Sequence, residues 1–137
     1  TKATEVYTEN NVVVNHHGGV IQVGDQVYGF SDGKGWVCFD FLKGENKPVW
    51  ASKDLGKGSI TFADGSFFCY SEDKGELVRI AASPDGWKEQ GRFAIPQSSK
   101  LRPKSGRVWP HPVVANGKLY LRDFELLFCF DVGRPAA

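Results

Sequence analysis

The sequence predicts an all-β chain made of β-propeller blades, and three observations carry that expectation. The first is internal repetition. GGVIQVGDQVYGFSDGKGWVCFDF, GSITFADGSFFCYSEDKGELVRIA and HPVVANGKLYLRDFELLFCFDV share one pattern: apolar run, tight turn, aromatic-centred run, charged loop, third run. Their aligned aromatics Tyr28, Phe68 and Tyr120 stand 40 and 52 residues apart, close to the repeat length of propeller blades. The second is the period-two spacing of Val, Ile, Phe, Tyr and Trp, which reads as strand. The third is Gly and Pro punctuation every few residues, which leaves almost no room for helix.

Taken in order, Glu5-Val6-Tyr7-Thr8 reads as one isolated strand. A first set follows at Val20–Val23, Gln26–Ser31, Trp36–Phe41 and Lys47–Ala51. A second lies at Ser59–Ala63, Ser66–Ser71, Glu76–Ala81 and Trp87–Phe93. A third lies at Pro112–Ala115, Lys118–Asp123 and Leu126–Val132, and stops after three strands. With strands lettered A to D from the axis outward, the chain reads D-ABCD-ABCD-ABC, in four-stranded antiparallel blades. The blade units span about 16–52, 57–94 and 111–132, with the extra strand at 4–8, and the 137 residues form a single segment. Asp64-Gly65 and Asn116-Gly117 between A and B are strong hairpin signals, with Gly24-Asp25 in the equivalent place.

Three blades are too few for a closed ring, which usually takes four to eight. Open edges and bare blade faces favour association. The expected partner is therefore either a second copy, giving six blades by exchange of end strands, or the remaining blades of a parent propeller. The chain contains no Met, so it is expected to be a processed chain or a piece of a longer one. No leader peptide is visible at Thr1–Thr4. A formal net charge of +1 gives no global drive toward nucleic acid, and no apolar run reaches the length of a membrane span.

The runs NHHGGVIQVGDQVYGFSDGKGWVCFDF and VWPHPVVANGKLYLRDFELLFCFDV resemble the pyrroloquinoline-quinone (PQQ)-like propeller repeat proteins. The resemblance covers nearly the whole chain. It implies a propeller fold and a periplasmic or secreted location, and that superfamily includes quinoprotein alcohol dehydrogenases. The family's tryptophan-docking motif has a loose copy in Asp40, Gly44 and Trp50, is lost in the second blade at Arg79, and ends after Asp131 and Gly133 in the third. An adjacent Cys pair and a calcium-binding carboxylate set are missing from the sequence. No cofactor is therefore expected on this chain alone, and PQQ with Ca²⁺ would need a completed ring.

Propeller geometry turns sequence position into location. The connection entering strand A and the B–C loop belong to one end of the ring, the mouth of the channel. His16 and His17 precede the first A strand and His111 precedes the third, so all three are expected there. The B–C loops add Asp32, Lys34, Glu72, Asp73, Lys74, Arg122 and Asp123, and the inter-blade segment adds Lys100, Arg102, Lys104, Arg107 and Trp109. The candidate ligand-binding set is His16, His17, Asp32, Lys34, Arg107, Trp109, His111 and Arg122, suited to an anionic or sugar-like ligand. The alternative for the histidines is backbone hydrogen bonding in the inter-blade seam. No metal set is expected, because the spacing of Cys38, Cys69 and Cys129 fits no metal motif. Cys38 and Cys129 occupy equivalent positions and are expected as small buried fillers. No nucleophile elbow or phosphate loop is present, so catalytic residues are unassigned. The expected function is a non-catalytic binding or scaffold propeller segment, with part of a quinoprotein-type alcohol or sugar dehydrogenase as the alternative. A third expectation is an assembly module that recruits partners through exposed strand edges at Val6 or Phe128.

Overall fold

A computed structural model describes residues 1–8, 12–44 and 46–133. They form three antiparallel sheets and no helix. The first sheet runs in order through β1 (Val20–Val23), β2 (Gln26–Ser31), β3 (Gly35–Asp40) and β4 (Trp50–Ser52). The middle sheet comprises β5 (Gly58–Ala63), β6 (Ser66–Ser71), β7 (Glu76–Ala81) and β8 (Glu89–Ala94). The third comprises β9 (Val113–Ala115), β10 (Lys118–Asp123) and β11 (Leu126–Asp131).

The tight turns do what their residues demand. Asp64 and Gly65 both have positive φ (46° and 71°), as do Asn116 and Gly117 (51° and 70°), the conformation that suits a two-residue hairpin. Elements expected from sequence shift by a few residues at their ends. Lys47 to Val49 precede β4 outside the strand, Trp87 precedes β8, and Pro112 precedes β9.

The strand expected at residues 4–8 does not form. Tyr7 settles instead on the end of the first sheet, where its Oη donates to the Phe41 carbonyl at 2.7 Å. Its ring lies against Gly44, at which a Cβ would come within 2.5 Å of that ring. A lone strand gains its hydrogen bonds only from a free edge beside it, and here the segment meets a turn. Among the described residues β11 consequently has no strand on its outer edge.

The sheets stack face to face and come closest at their first strands, β1 on β5 and β5 on β9. Register fixes which side chains meet. In the first sheet Tyr28, Phe30, Trp36 and Cys38 share the face toward the middle sheet. Phe67, Cys69, Val78 and Ile80 answer them. The opposite face of the middle sheet, with Phe68, Tyr70 and Leu77, packs on Leu119, Leu121, Phe128 and Phe130 of the third. All six residues of β6 are buried, which is why SFFCYS shows no polar alternation: both its faces are covered. Close packing at the first seam is tight enough to require glycine. A Cβ at Gly18 would stand 2.1 Å from the Gly58 carbonyl oxygen across the seam, and within the middle sheet one at Gly58 would stand 2.0 Å from that of Tyr70.

The outward face of the third sheet carries Tyr120, Arg122, Leu127 and Cys129, the register equivalents of Tyr28, Phe30, Trp36 and Cys38. Nothing among the described residues covers it. Leu127 is 68% exposed, and Cys129, expected as a buried filler, is exposed while Cys38 is buried. The two cysteines have the same local setting, and only Cys38 has a neighbouring sheet.

Candidate functional site

The β2–β3, β6–β7 and β10–β11 turns lie at one end of the sheets, with the connections leading into β1, β5 and β9. The chain passes through this end six times, and the expected residues meet there in two groups.

The first group is a polar seam. His16 Nδ1 lies 2.7 Å from Asp32 Oδ2 and 2.8 Å from Lys57 Nζ, so that nitrogen either donates to the carboxylate or accepts from the ammonium, one at a time. Lys57 also donates to Asp32 Oδ1 at 2.8 Å. This hydrogen bond holds the Asp32 carboxyl below the usual carboxylate range; partial burial opposes it, and the Lys57 and His16 charges reinforce it. His17 Nε2 meets Glu72 Oε2 at 2.9 Å, and its ring stands edge-on to Trp109 at 5.4 Å. His111 Nε2 lies 2.9 Å from the His17 carbonyl and Nδ1 lies 3.3 Å from the Ile60 carbonyl. The histidines thus cluster as expected and bridge the entering connections. His16 Nδ1, His17 Nε2 and both ring nitrogens of His111 are engaged by protein partners. Among the described residues no three His, Cys, Asp or Glu side chains are arranged to hold a metal ion.

The second group is an open groove of about 420 Å³ lined by Arg107, Trp109, Pro110, Arg122 and Phe124. Arg107 pairs with Asp73 at 2.8 Å. Arg122 donates through Nε to the Phe124 carbonyl at 2.6 Å, and among the described residues no carboxylate lies within ion-pair reach of it. Trp109 is 52% exposed and Phe124 40% exposed. Phe124 also has a φ of +52°, in the left-handed region, where a bulky aromatic is an outlier. It occupies the first turn position of a two-residue hairpin, which normally takes glycine. Holding it there costs about 1–3 kcal/mol, a form of strain that clusters at functional sites.

A buried anchor supports the groove. Asp123, placed by the sequence among the B–C loop residues at the mouth, is fully buried, with Oδ2 accepting from Ser99 N at 2.8 Å and Oδ1 lying 3.3 Å from Arg102 Nε. Val108 N donates to the Glu72 carbonyl at 2.7 Å. The basic connection between the middle and third sheets is therefore pinned at both ends. Lys34 lies on the β2–β3 turn, where its backbone N donates to the Ser31 carbonyl at 3.1 Å.

Sequence reasoning missed Lys57 and gave Phe124 no role. Lys57 carries no motif. Phe124 did carry a signal, since its loop lacks the glycines of the two equivalent loops.

Trp50 of the docking-like motif donates Nε1 to the Ser83 carbonyl at 3.0 Å and packs on Trp87, tying the first sheet to the middle one. Asp40 and Asp131 cap their own turns, accepting from Leu42 N and Gly133 N respectively. The residues do not fit a quinone and calcium site. The three cysteines sit in three different sheets, and the carboxylates at the turns are spent on Lys57, His17 and Arg107. The chain matches no protein-family model and no curated protein.

Proposed function

We propose that this chain is a non-catalytic binding and scaffold segment of a β-propeller, of the PQQ-like kind, that takes an anionic or sugar-like ligand at the mouth groove. The observation that carries the reading is Arg122, which has no carboxylate partner among the described residues, beside the strained, exposed ring of Phe124, with Trp109 across the groove. A guanidinium recognises a carboxylate or phosphate, and an exposed indole offers a face for the apolar side of a sugar ring. The alternative is part of a quinoprotein-type alcohol or sugar dehydrogenase, whose quinone and calcium donors would have to come from further blades.

The three sheets are read as successive blades. The bare face of the third repeats a face that is buried in the first, which supports further blades, from a second copy or a parent chain, stacked on it. A periplasmic or secreted setting follows from the same resemblance.

Titration calorimetry with glucuronate and with glucose tests the groove. Glucuronate should bind more tightly, and Arg122→Gln should erase the difference while leaving the fold intact. Equal binding of the two sugars, or an unchanged preference in Arg122→Gln, would sink the proposal. Light scattering tests the stacking: a mass near twice that of one chain supports reciprocal completion by a second copy.

A further inference from the structure

We infer that the cleft between the middle and third sheets is a second binding site, which takes a small oxyanion on Arg79. This site lies at the opposite end of β10 from the Arg122 groove and does not depend on it. The cleft holds about 560 Å³ and is lined by Phe68, Arg79, Gln90, Val114 and Val132, with Asp64 on the turn at its rim. A smaller adjoining hollow of about 180 Å³ shares Phe68, Arg79 and Val132, so Arg79 borders both.

Arg79 is the anomaly. Its Nε is buried and has no hydrogen-bond partner. Among the described residues no carboxylate lies within ion-pair distance of its guanidinium. Arg92, the other cation bordering the smaller hollow, is engaged by Glu76 at 2.9 Å and Glu89 at 2.8 Å. Arg79 therefore has no comparable partner, although its guanidinium carbon sits 5.6 Å from the centroid of the Phe68 ring, where the aromatic face favours a cation. A buried donor without an acceptor is unfavourable, and a cation partly removed from water attracts an anion more strongly than a solvated one.

The surroundings are shaped to admit a ligand. In the ladder Arg79 faces Gly91, and a Cβ built at Gly91 meets nothing within 4 Å, so the strand beside Arg79 leaves open space. The β7–β8 ladder shifts register between Arg79 and Ile80, an irregularity of the kind that re-aims a side chain. Gln90 accepts at Oε1 from Ser66 Oγ at 2.9 Å, which leaves its amide N–H groups as further donors at the cleft wall. A carboxylate or a phosphate could take two parallel hydrogen bonds from one guanidinium edge.

The test is NMR titration of the full chain with inorganic phosphate and, separately, with acetate at constant ionic strength. At least one anion should give a saturable shift of the Arg79 Nε–H resonance, and which one does so identifies the oxyanion. Arg79→Lys keeps the charge and removes the fork. Gly91→Leu crowds the adjoining hollow that Arg79 also borders and leaves Arg79 in place. Each should weaken binding at least tenfold, whereas Arg122→Gln should leave it unchanged. If Arg79→Lys fails to fold, Gly91→Leu carries the test alone. The inference is overturned if neither anion gives a saturable shift, or if affinity is unchanged in the folded cleft variants.

Discussion

The two seams between the sheets are made from one repeated pattern, yet they are filled differently. Between the first and middle sheets Trp36, Trp50, Trp87 and Tyr28 interlock, with Trp36 and Trp50 lying 6.0 and 6.3 Å from Trp87. Trp36 Nε1 and Trp50 Nε1 both reach backbone carbonyls across the seam. Between the middle and third sheets the core holds no tryptophan and is built from Phe68, Tyr70, Leu77, Leu119, Leu121, Phe128 and Phe130, with the Arg79 cleft beside it. The contrast separates two tasks. The first seam places large rings where they hold the stack together. The second leaves volume and an unpaired cation where a smaller apolar contact suffices.

The largest expected effect tests that division. Trp36→Ala removes a fully buried ring and should cost about 3–5 kcal/mol. Val114→Ala, beside the cleft, should cost about 1 kcal/mol or less, because its neighbours already border empty space. Urea unfolding of both variants checks the pair; similar losses would break the distinction between the seams.

Thiol chemistry separates the covered face from the bare one. Burial pushes the Cys38 thiol up to about 11 and the Cys69 thiol well above its usual value, while Cys129 is exposed. A disulfide reagent added to the native protein at neutral pH should modify Cys129 first, and Cys38 and Cys69 only on unfolding. Protection of Cys129 would mean that another sheet covers the third in solution.

Acid should loosen the polar end of the first seam. The folded-state value of Asp32 is depressed, chiefly by the Lys57 hydrogen bond, so its contribution is present above the ordinary carboxylate value and is lost as pH falls through the lower folded value. The stability gap between wild type and Asp32→Asn should be steady near pH 7 and should shrink below about pH 4. Urea midpoints at several pH values measure it, and a gap that widens in acid contradicts the assignment.

The smallest effect is expected on the bare face. Leu127→Ser should change monomer stability by less than about 0.5 kcal/mol, since the side chain is already in water. A larger, concentration-dependent loss in thermal melts would show that this face is stacked in an assembly.

Much of the fold was legible in the sequence because its signals are local. Asp64-Gly65 and Asn116-Gly117 adopt the positive φ their turn needs whatever surrounds them. Period-two runs place Tyr28, Phe68 and Tyr120 on corresponding faces of their sheets. The site was legible only in outline. Position in the repeat brought His16, His17, His111 and Trp109 to one end, but not the identity of their partners, since Lys57 and Glu72 come from other connections 41 and 55 residues away. The strand expected at residues 4–8 failed for the same reason: an edge is supplied by distant chain, and Tyr7 found Phe41 instead.

By itself, then, the sequence determined strand positions, turn types, the threefold repetition and which residues share a face, because backbone dihedrals and side-chain alternation act over a few residues. The tertiary structure alone decided that Cys38 is buried while Cys129 is not, that Asp123 is a buried ion-pair partner, and that Arg79 faces a cavity. Burial depends on what lies across the seam, and that neighbour comes from chain tens of residues away or from no described residue at all.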